Sequence, residues 1–182
     1  MRIISGKYKG RKILAPKKLP VRPTTDMSKE ALFNILNNHY NFSDLAVVDL
    51  FAGTGNIAYE FASRGSEEIT AVDADLGCVK FIDQTAKSFD FRIDAIKSDV
   101  FKFLKKSTIK ADIIFADPFY DMPLEDFEKI PELIFTRKLL LDDGMLIIEH
   151  SKHTDLSHLA HFSNARKYGG SVFSFFKDNE TS

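Results

Sequence analysis

The sequence predicts an α/β fold: a seven-stranded mixed sheet with helices on both faces and a terminal antiparallel hairpin, preceded by a small N-terminal β-hairpin and helix. Three observations carry this expectation. From residue 45 onward, short apolar runs alternate with amphipathic stretches, the rhythm of parallel strands joined by crossover helices. The first of these runs leads into a Gly-rich turn, Asp49 to Gly55. Near the end, Gly169-Gly170 joins two strand-like segments at two-residue hairpin spacing.

In chain order, residues 2–14 read as two short strands, Arg2-Ile3-Ile4 and Lys12-Ile13-Leu14, around a turn bearing Gly6 and Gly10. Pro16, Pro20 and Pro23 then break the chain. A helix follows, capped by Thr25 or Asp26, with Ala31, Leu32, Ile35 and Leu36 on its apolar face. Ala46 to Leu50 is a short, mostly apolar run, as a strand buried on both faces requires. The helix after the turn presents Ile57, Ala58, Phe61 and Ala62 and stops at Gly65. Ile69 to Val72 forms a second strand, and Val79, Ile82 and Ala86 mark the next helix. Arg92 to Lys97 is a weaker strand, followed by a short helix with Phe101 and Leu104. Asp112 to Ala116 is the fourth strand, residues 124–140 are helical with Pro131 starting a new helix or kinking one, and Met145 to Glu149 is the fifth strand. Residues 162–168 and Val172 to Phe176 complete the hairpin, with Phe175 and Phe176 on opposite faces. The last residues, Asp178 to Ser182, are expected to fray.

Composition bounds the function. An apolar fraction of 44% and a charged fraction of 28% are ordinary for a soluble domain, and no run approaches the ~20 apolar residues of a membrane span. A single cysteine, Cys78, and no apolar leader suit the reducing cytoplasm. The net charge of −1 hides a segregation. Residues 1–25 hold eight basic residues (Arg2, Lys7, Lys9, Arg11, Lys12, Lys17, Lys18, Arg22) and no acid, which leaves 17 basic against 26 acidic residues elsewhere. Such an arm suits a polyanion, although a solvated basic surface has the same composition.

The candidate site lies at the carboxyl ends of the strands, where ligands bind in such sheets. Gly53 and Gly55 let the backbone turn sharply and approach a ligand closely. Alone this is weak, because Gly53-x-Gly55-x-x-Ala58 also fits a dinucleotide turn. Asp73 ends the second strand, where a carboxylate can accept two ribose hydroxyls. Asp99 follows the third strand, placed for an adenine amino group, and Asp75 and Asp99 also suit helix caps. Asp117-Pro118-Phe119-Tyr120 after the fourth strand decides between chemistries. An exocyclic base amine is a poor nucleophile because its lone pair is delocalised into the ring. A carboxylate and a backbone carbonyl that accept its two N–H bonds favour a pyramidal nitrogen facing a sulfonium methyl. An aromatic ring beside them stacks on a base swung out of its helix.

Over nearly its full length the chain resembles the bacterial 16S rRNA guanine-N2 methyltransferase family of the RsmD type. The resemblance rests on Arg2-Ile3-Ile4-Ser5-Gly6-Lys7-Tyr8-Lys9-Gly10-Arg11, on Arg22-Pro23-Thr24-Thr25-Asp26, on Leu32-Phe33-Asn34, and on the Asp49–Gly55 and Asp117 motifs at matching intervals. It implies a Rossmann-like class I S-adenosylmethionine-dependent methyltransferase domain over residues 41–182 and a basic hairpin-and-helix extension over residues 1–40 on the RNA side. By the same resemblance the substrate is guanine 966 of 16S rRNA in small-subunit assembly particles, methylated by a monomer. Asp49, Phe51, Gly53, Gly55, Asp73 and Asp99 would bind S-adenosylmethionine. Asp117, Pro118 and Tyr120 would hold the guanine, and Lys7, Lys9, Arg11, Arg22, Thr24 and Thr25 would meet RNA. The family has a second proline where this chain has Phe119.

Other features read as structural. His150, His153, His158 and His161 cluster late in the chain, without cysteine partners and with few acids, so a solvated polar loop is expected and no metal. Cys78 is expected to be a buried or half-buried thiol. Three rival functions remain open at this level: a DNA or small-molecule amine methyltransferase, a non-catalytic RNA-binding protein, and a nicotinamide-dependent oxidoreductase.

Overall fold

A computed structural model describes residues 1–22 and 24–179. Pro23 and residues 180–182, part of the expected frayed end, lie outside the described residues. The elements run α1 (Asp26–Asn37), β1 (Ala46–Leu50), α2 (Asn56–Ser63), β2 (Glu68–Asp73), α3 (Leu76–Ser88), β3 (Ile93–Lys97), α4 (Val100–Lys106), β4 (Ala111–Ala116), α5 (Leu124–Thr136), β5 (Leu140–Ser151), β6 (Phe162–Tyr168) and β7 (Ser171–Lys177). A short 3-10 turn, Phe42–Asp44, precedes β1.

The seven strands form one sheet in the order β3-β2-β1-β4-β5-β7-β6. β1 to β5 are mutually parallel, and β7 pairs antiparallel with both β5 and β6. Alternation along the strands divides the core in two. Val47, Ile113 and Ile147 pack with α1, α2 and α3 through Leu32, Phe33, Phe61 and Ile82. Val48, Ile114 and Ile148 pack with α4 and α5 through Leu104, Phe127 and Ile130. Phe175 and Phe176 fall into different clusters, as alternation on β7 requires.

The local expectations and the structure differ at three places. The opening segment is a hairpin closed by a single antiparallel bridge, Arg2 to Lys12, not two strands. The amides of Ile4 and Ser5 are drawn away from the hairpin to the Glu60 carboxylate, at 2.9 and 3.0 Å. α5 runs through Pro131 as one helix but stops at Thr136, short of residue 140. There Lys138 adopts φ 53°, and the Leu139 amide closes back on the Ile134 carbonyl at 3.0 Å. β5 is longer than expected at both ends, because Leu140 pairs with Ala111 and Ser151 pairs with Ser171.

The N-terminal arm is fastened to α2 by a buried ion cluster. Glu60, fully buried, meets Arg64 Nε at 2.9 Å and Lys29 Nζ at 3.4 Å. Lys29 also donates to the Arg2 carbonyl (2.6 Å) and to Asn56 Oδ1 (2.8 Å). Burial pulls the Lys29 ammonium below its ordinary pKa, and the Glu60 charge opposes this. Among the described residues, no helix is long and apolar enough to cross a membrane.

Candidate active site

The strand order reverses between β1 and β4, and a cavity of about 660 Å³ opens at the carboxyl ends there. Its volume lies within the range of small-molecule sites. The turn after β1 builds one wall. Phe51, Gly53 and Gly55 all have positive φ (56°, 57° and 88°), and Gly55 is the N-terminal cap residue of α2. A Cβ at Gly55 would meet the Tyr59 ring at 2.6 Å, so no other residue fits this turn as it stands. At Gly53 the side chain of Val21 approaches closely, 3.1 Å from where a Cβ would stand. The extended segment before α1 therefore crosses over the turn, and Pro20, Val21, Arg22, Thr24 and Thr25 line the same cavity.

Four acids come from the strand ends. Asp73 closes β2 and braces the turn: its Oδ2 accepts from the Gly53 amide and its Oδ1 from the Asp75 amide, both at 2.8 Å. Asp49, in β1, is 2% exposed, and its Oδ2 has no hydrogen-bond partner. Burial raises its pKa to about 8, Asp73's charge adds to this, and the Ala58 amide opposes it. Such a carboxylate stays ionised only if a cation comes to it.

The other two acids are neighbours. The β4–β5 register pairs Phe115 with Ile147 and Ala116 with Ile148, so one further step sets Asp117 beside Glu149. Alternation puts both on the α1 face of the sheet, about one strand spacing (~4.8 Å) apart. The Thr24 hydroxyl donates to Glu149 Oε2 at 2.8 Å, and the Thr24 carbonyl accepts from Asn56 Nδ2 at 3.1 Å. Burial raises the pKa of both carboxyls, and Asp117 is raised further by the charges of Glu149 and Asp49. The Arg22 charge and the Thr24 hydroxyl pull both the other way. The Arg22 guanidinium also lies over the Tyr120 ring, 5.1 Å from its centroid. Phe119 and Tyr120, which line the cavity, stay 59% and 61% exposed.

Of the residues singled out from the sequence, Asp49, Phe51, Gly53, Asp73, Asp99, Asp117, Pro118, Tyr120, Arg22, Thr24 and Thr25 all line this cavity. Gly55 shapes the turn from behind. Asp99 caps α4, its Oδ1 accepting from the Lys102 amide at 2.9 Å, while remaining exposed at the cavity rim. Thr24 is buried, its hydroxyl turned to Glu149, while Thr25 is exposed and its hydroxyl caps α1. Lys7, Lys9 and Arg11 are exposed but stand apart from the cavity. The Lys7 amide donates to the Ser63 carbonyl at the far end of α2, about 10 Å along the helix from the turn.

Glu149 was not among the residues expected to form the site. Its signal was an acid at the end of an apolar strand, the position Asp73 holds on β2. The histidines are not one solvated loop. His150 is buried in β5 with Nε2 2.7 Å from the Ser174 hydroxyl, and its pKa is lowered by burial. Among the described residues no three His, Cys, Asp or Glu side chains are grouped to hold a metal ion. Cys78 is buried and lines the cavity, and burial pushes its thiol up to about 12, which makes it a poor nucleophile.

Comparison with known proteins follows the same lines. The family model described as "Conserved hypothetical protein 95" matches residues 1–177. Ribosomal RNA small subunit methyltransferase D of Buchnera aphidicola is 32% identical over 153 residues, which cover 82% of this chain and 78% of the relative. The solved structure of yhhF from Escherichia coli is 25% identical and superposes over 97% of this chain and 96% of that one, with a TM-score of 0.81. A Thermus thermophilus 16S rRNA N2 G1207 methyltransferase, solved with AdoMet and guanosine, shares the fold at 19% identity and a TM-score of 0.68. That match covers 87% of this chain and 45% of the other.

Proposed function

Since the chain belongs to the conserved hypothetical protein 95 family, the family of ribosomal RNA small subunit methyltransferase D, we propose that it transfers a methyl group from S-adenosylmethionine to the N2 amine of guanine 966 of 16S rRNA in small-subunit assembly particles. The observation that carries this reading is the meeting of two features in one cavity, at the ends of the adjacent strands β1 and β4. A buried, unpartnered carboxylate (Asp49) lies beside a Gly-rich turn, and Asp117-Pro118 faces an open mouth rimmed by exposed aromatic rings.

The residues present fit the cofactor. Asp49 supplies the negative charge that a cationic ligand needs, and the turn at Gly53, packed by Val21, lines the cavity beside it. Asp73 retains a second lone pair on each oxygen for ribose hydroxyls, and Asp99 stands at the rim beside Phe101 for the base. Bound there, the cofactor supplies an electrophilic methyl on a cationic sulfur.

The chain's own residues do the rest. The Asp117 carboxylate and the Pro118 carbonyl accept the two N–H bonds of the guanine amine and hold its lone pair in line. Positioning of this kind is worth several kcal/mol, up to ~7–11 in ideal cases. Tyr120 stacks on the flipped base, with Arg22 on the ring. Asp117, whose carboxyl is held well above the usual carboxylate range, takes the proton the nitrogen loses. The basic arm, residues 1–40, approaches RNA backbone away from the cavity, through Lys7, Lys9 and Arg11. A methylation assay offering naked DNA, mature small subunits and assembly particles tests the reading. Incorporation confined to the assembly particles is expected, and incorporation into DNA alone would overturn it.

A further inference from the structure

Asp117 and Pro118 account for an amine but not for guanine, because adenine and cytosine also carry exocyclic amines. Something else must read the base. Guanine differs by presenting a ring N1–H donor next to its N2 amine, whereas adenine presents a bare N1 acceptor.

The site holds one acceptor in the matching place. Glu149 is the neighbour of Asp117 across the β4–β5 register, on the same face of the sheet, and it lines the same cavity. It is 7% exposed and held by the Thr24 hydroxyl on Oε2. Thr24 is fixed in turn by Asn56 at the start of α2, and Asn56 by Lys29. The carboxylate is thus preorganised by a chain of buried hydrogen bonds rather than free to swing to solvent. An ionised carboxylate accepts and does not donate, so at this position it welcomes N1–H and repels a bare N1.

We infer that Glu149 is the specificity-determining residue of the site, accepting the N1–H of guanine while Asp117 accepts an N2–H. This rests on the guanine-N2 reading above. The Arg22 charge opposes the rise in pKa of both carboxyls and so favours their ionised forms, which accept the N1–H and N2–H donors of guanine.

The test compares guanine with 2-aminopurine, which keeps the 2-amine but has a bare N1. Ligated 16S rRNA carrying either base at the target position is reconstituted into assembly particles, and methyl transfer by the wild-type protein and by Glu149→Gln is followed. The wild type should strongly prefer guanine. Glu149→Gln, whose amide can donate to a bare N1, should lower kcat/KM on guanine and raise the ratio of 2-aminopurine to guanine by at least about tenfold. Its S-adenosylmethionine affinity should be unchanged, which also shows that the variant is folded. Equal loss on both bases, or no change on guanine, would overturn the role of Glu149. Failure of the wild type to methylate guanine at N2 would instead overturn the proposed function and this inference with it.

Discussion

Asp117 and Glu149 stand side by side at the carboxyl ends of β4 and β5, joined to the segment before α1 through the hydroxyl of Thr24. Two strands and an N-terminal segment therefore meet in a single charged cluster. The pair lines the same cavity as the Gly-rich turn, with Asp117 at the end of β4, the strand next to β1.

Asp117→Ala should lower methyl transfer by about 10²–10⁴-fold, the usual worth of a positioned proton acceptor. S-adenosylmethionine affinity, measured by calorimetry, should change little, because the proposed function sets Asp117 against the base. A comparable loss of cofactor affinity would move Asp117 to the other half of the site.

By the proposed function, Asp49 should make cofactor binding pH-dependent. Its pKa in the free protein is raised to about 8, so near neutrality the empty site carries a proton there. A cationic ligand favours the ionised form and expels that proton. Affinity should therefore rise with pH and level off above about 8, with proton release seen as a dependence of binding heat on buffer ionisation enthalpy. Asp49→Asn should abolish the release. Stability of the free protein has the matching sign: the raised pKa means the folded state binds more protons than the unfolded one, so this group's contribution is lost as pH rises from the ordinary carboxylate range through about 8.

Glu60→Ala should destabilise the fold by roughly 3–5 kcal/mol, because it leaves the Lys29 ammonium buried without its counter-charge. It also strands the Ile4 and Ser5 amides. Denaturant unfolding measures this, and a loss under ~1 kcal/mol would show that the arm is fastened by its apolar contacts through Ile3 and Ile13.

Replacing Lys7, Lys9 and Arg11 together by Ala should weaken RNA binding and flatten its salt dependence. Three lost phosphate contacts reduce the slope of log K against log salt by about 2–3. Cofactor affinity should not move, since these residues lie far from the cavity. An unchanged slope would make the hairpin a solvated surface.

The sheet was legible in the sequence because apolar runs and Gly breaks are local signals, and the place of Asp117-Pro118-Phe119-Tyr120 on the cavity was legible because the segment directly follows an apolar strand. Glu149 was not, since its meaning depends on the register between two strands whose partners lie 32 residues apart in sequence and on which face of the sheet it shares with Asp117. The basic arm reads as one segment in the sequence, and the structure divides it. The hairpin turn carries Lys7 to Arg11 to the end of α2, while the chain after Pro16 doubles back and delivers Arg22 and Thr24 to the cavity. Nothing in the sequence marks Lys29 as buried, and only the packing of the arm against α2 buries it.

The most direct test is to incubate small-subunit assembly particles lacking methylation at guanine 966 with the protein and S-adenosylmethionine, then to map modified nucleotides of the 16S rRNA by mass spectrometry. The proposed function gives one new N2-methylguanosine, at guanine 966. A methyl group on another nucleotide, on another atom of guanine, or on no rRNA position would contradict it.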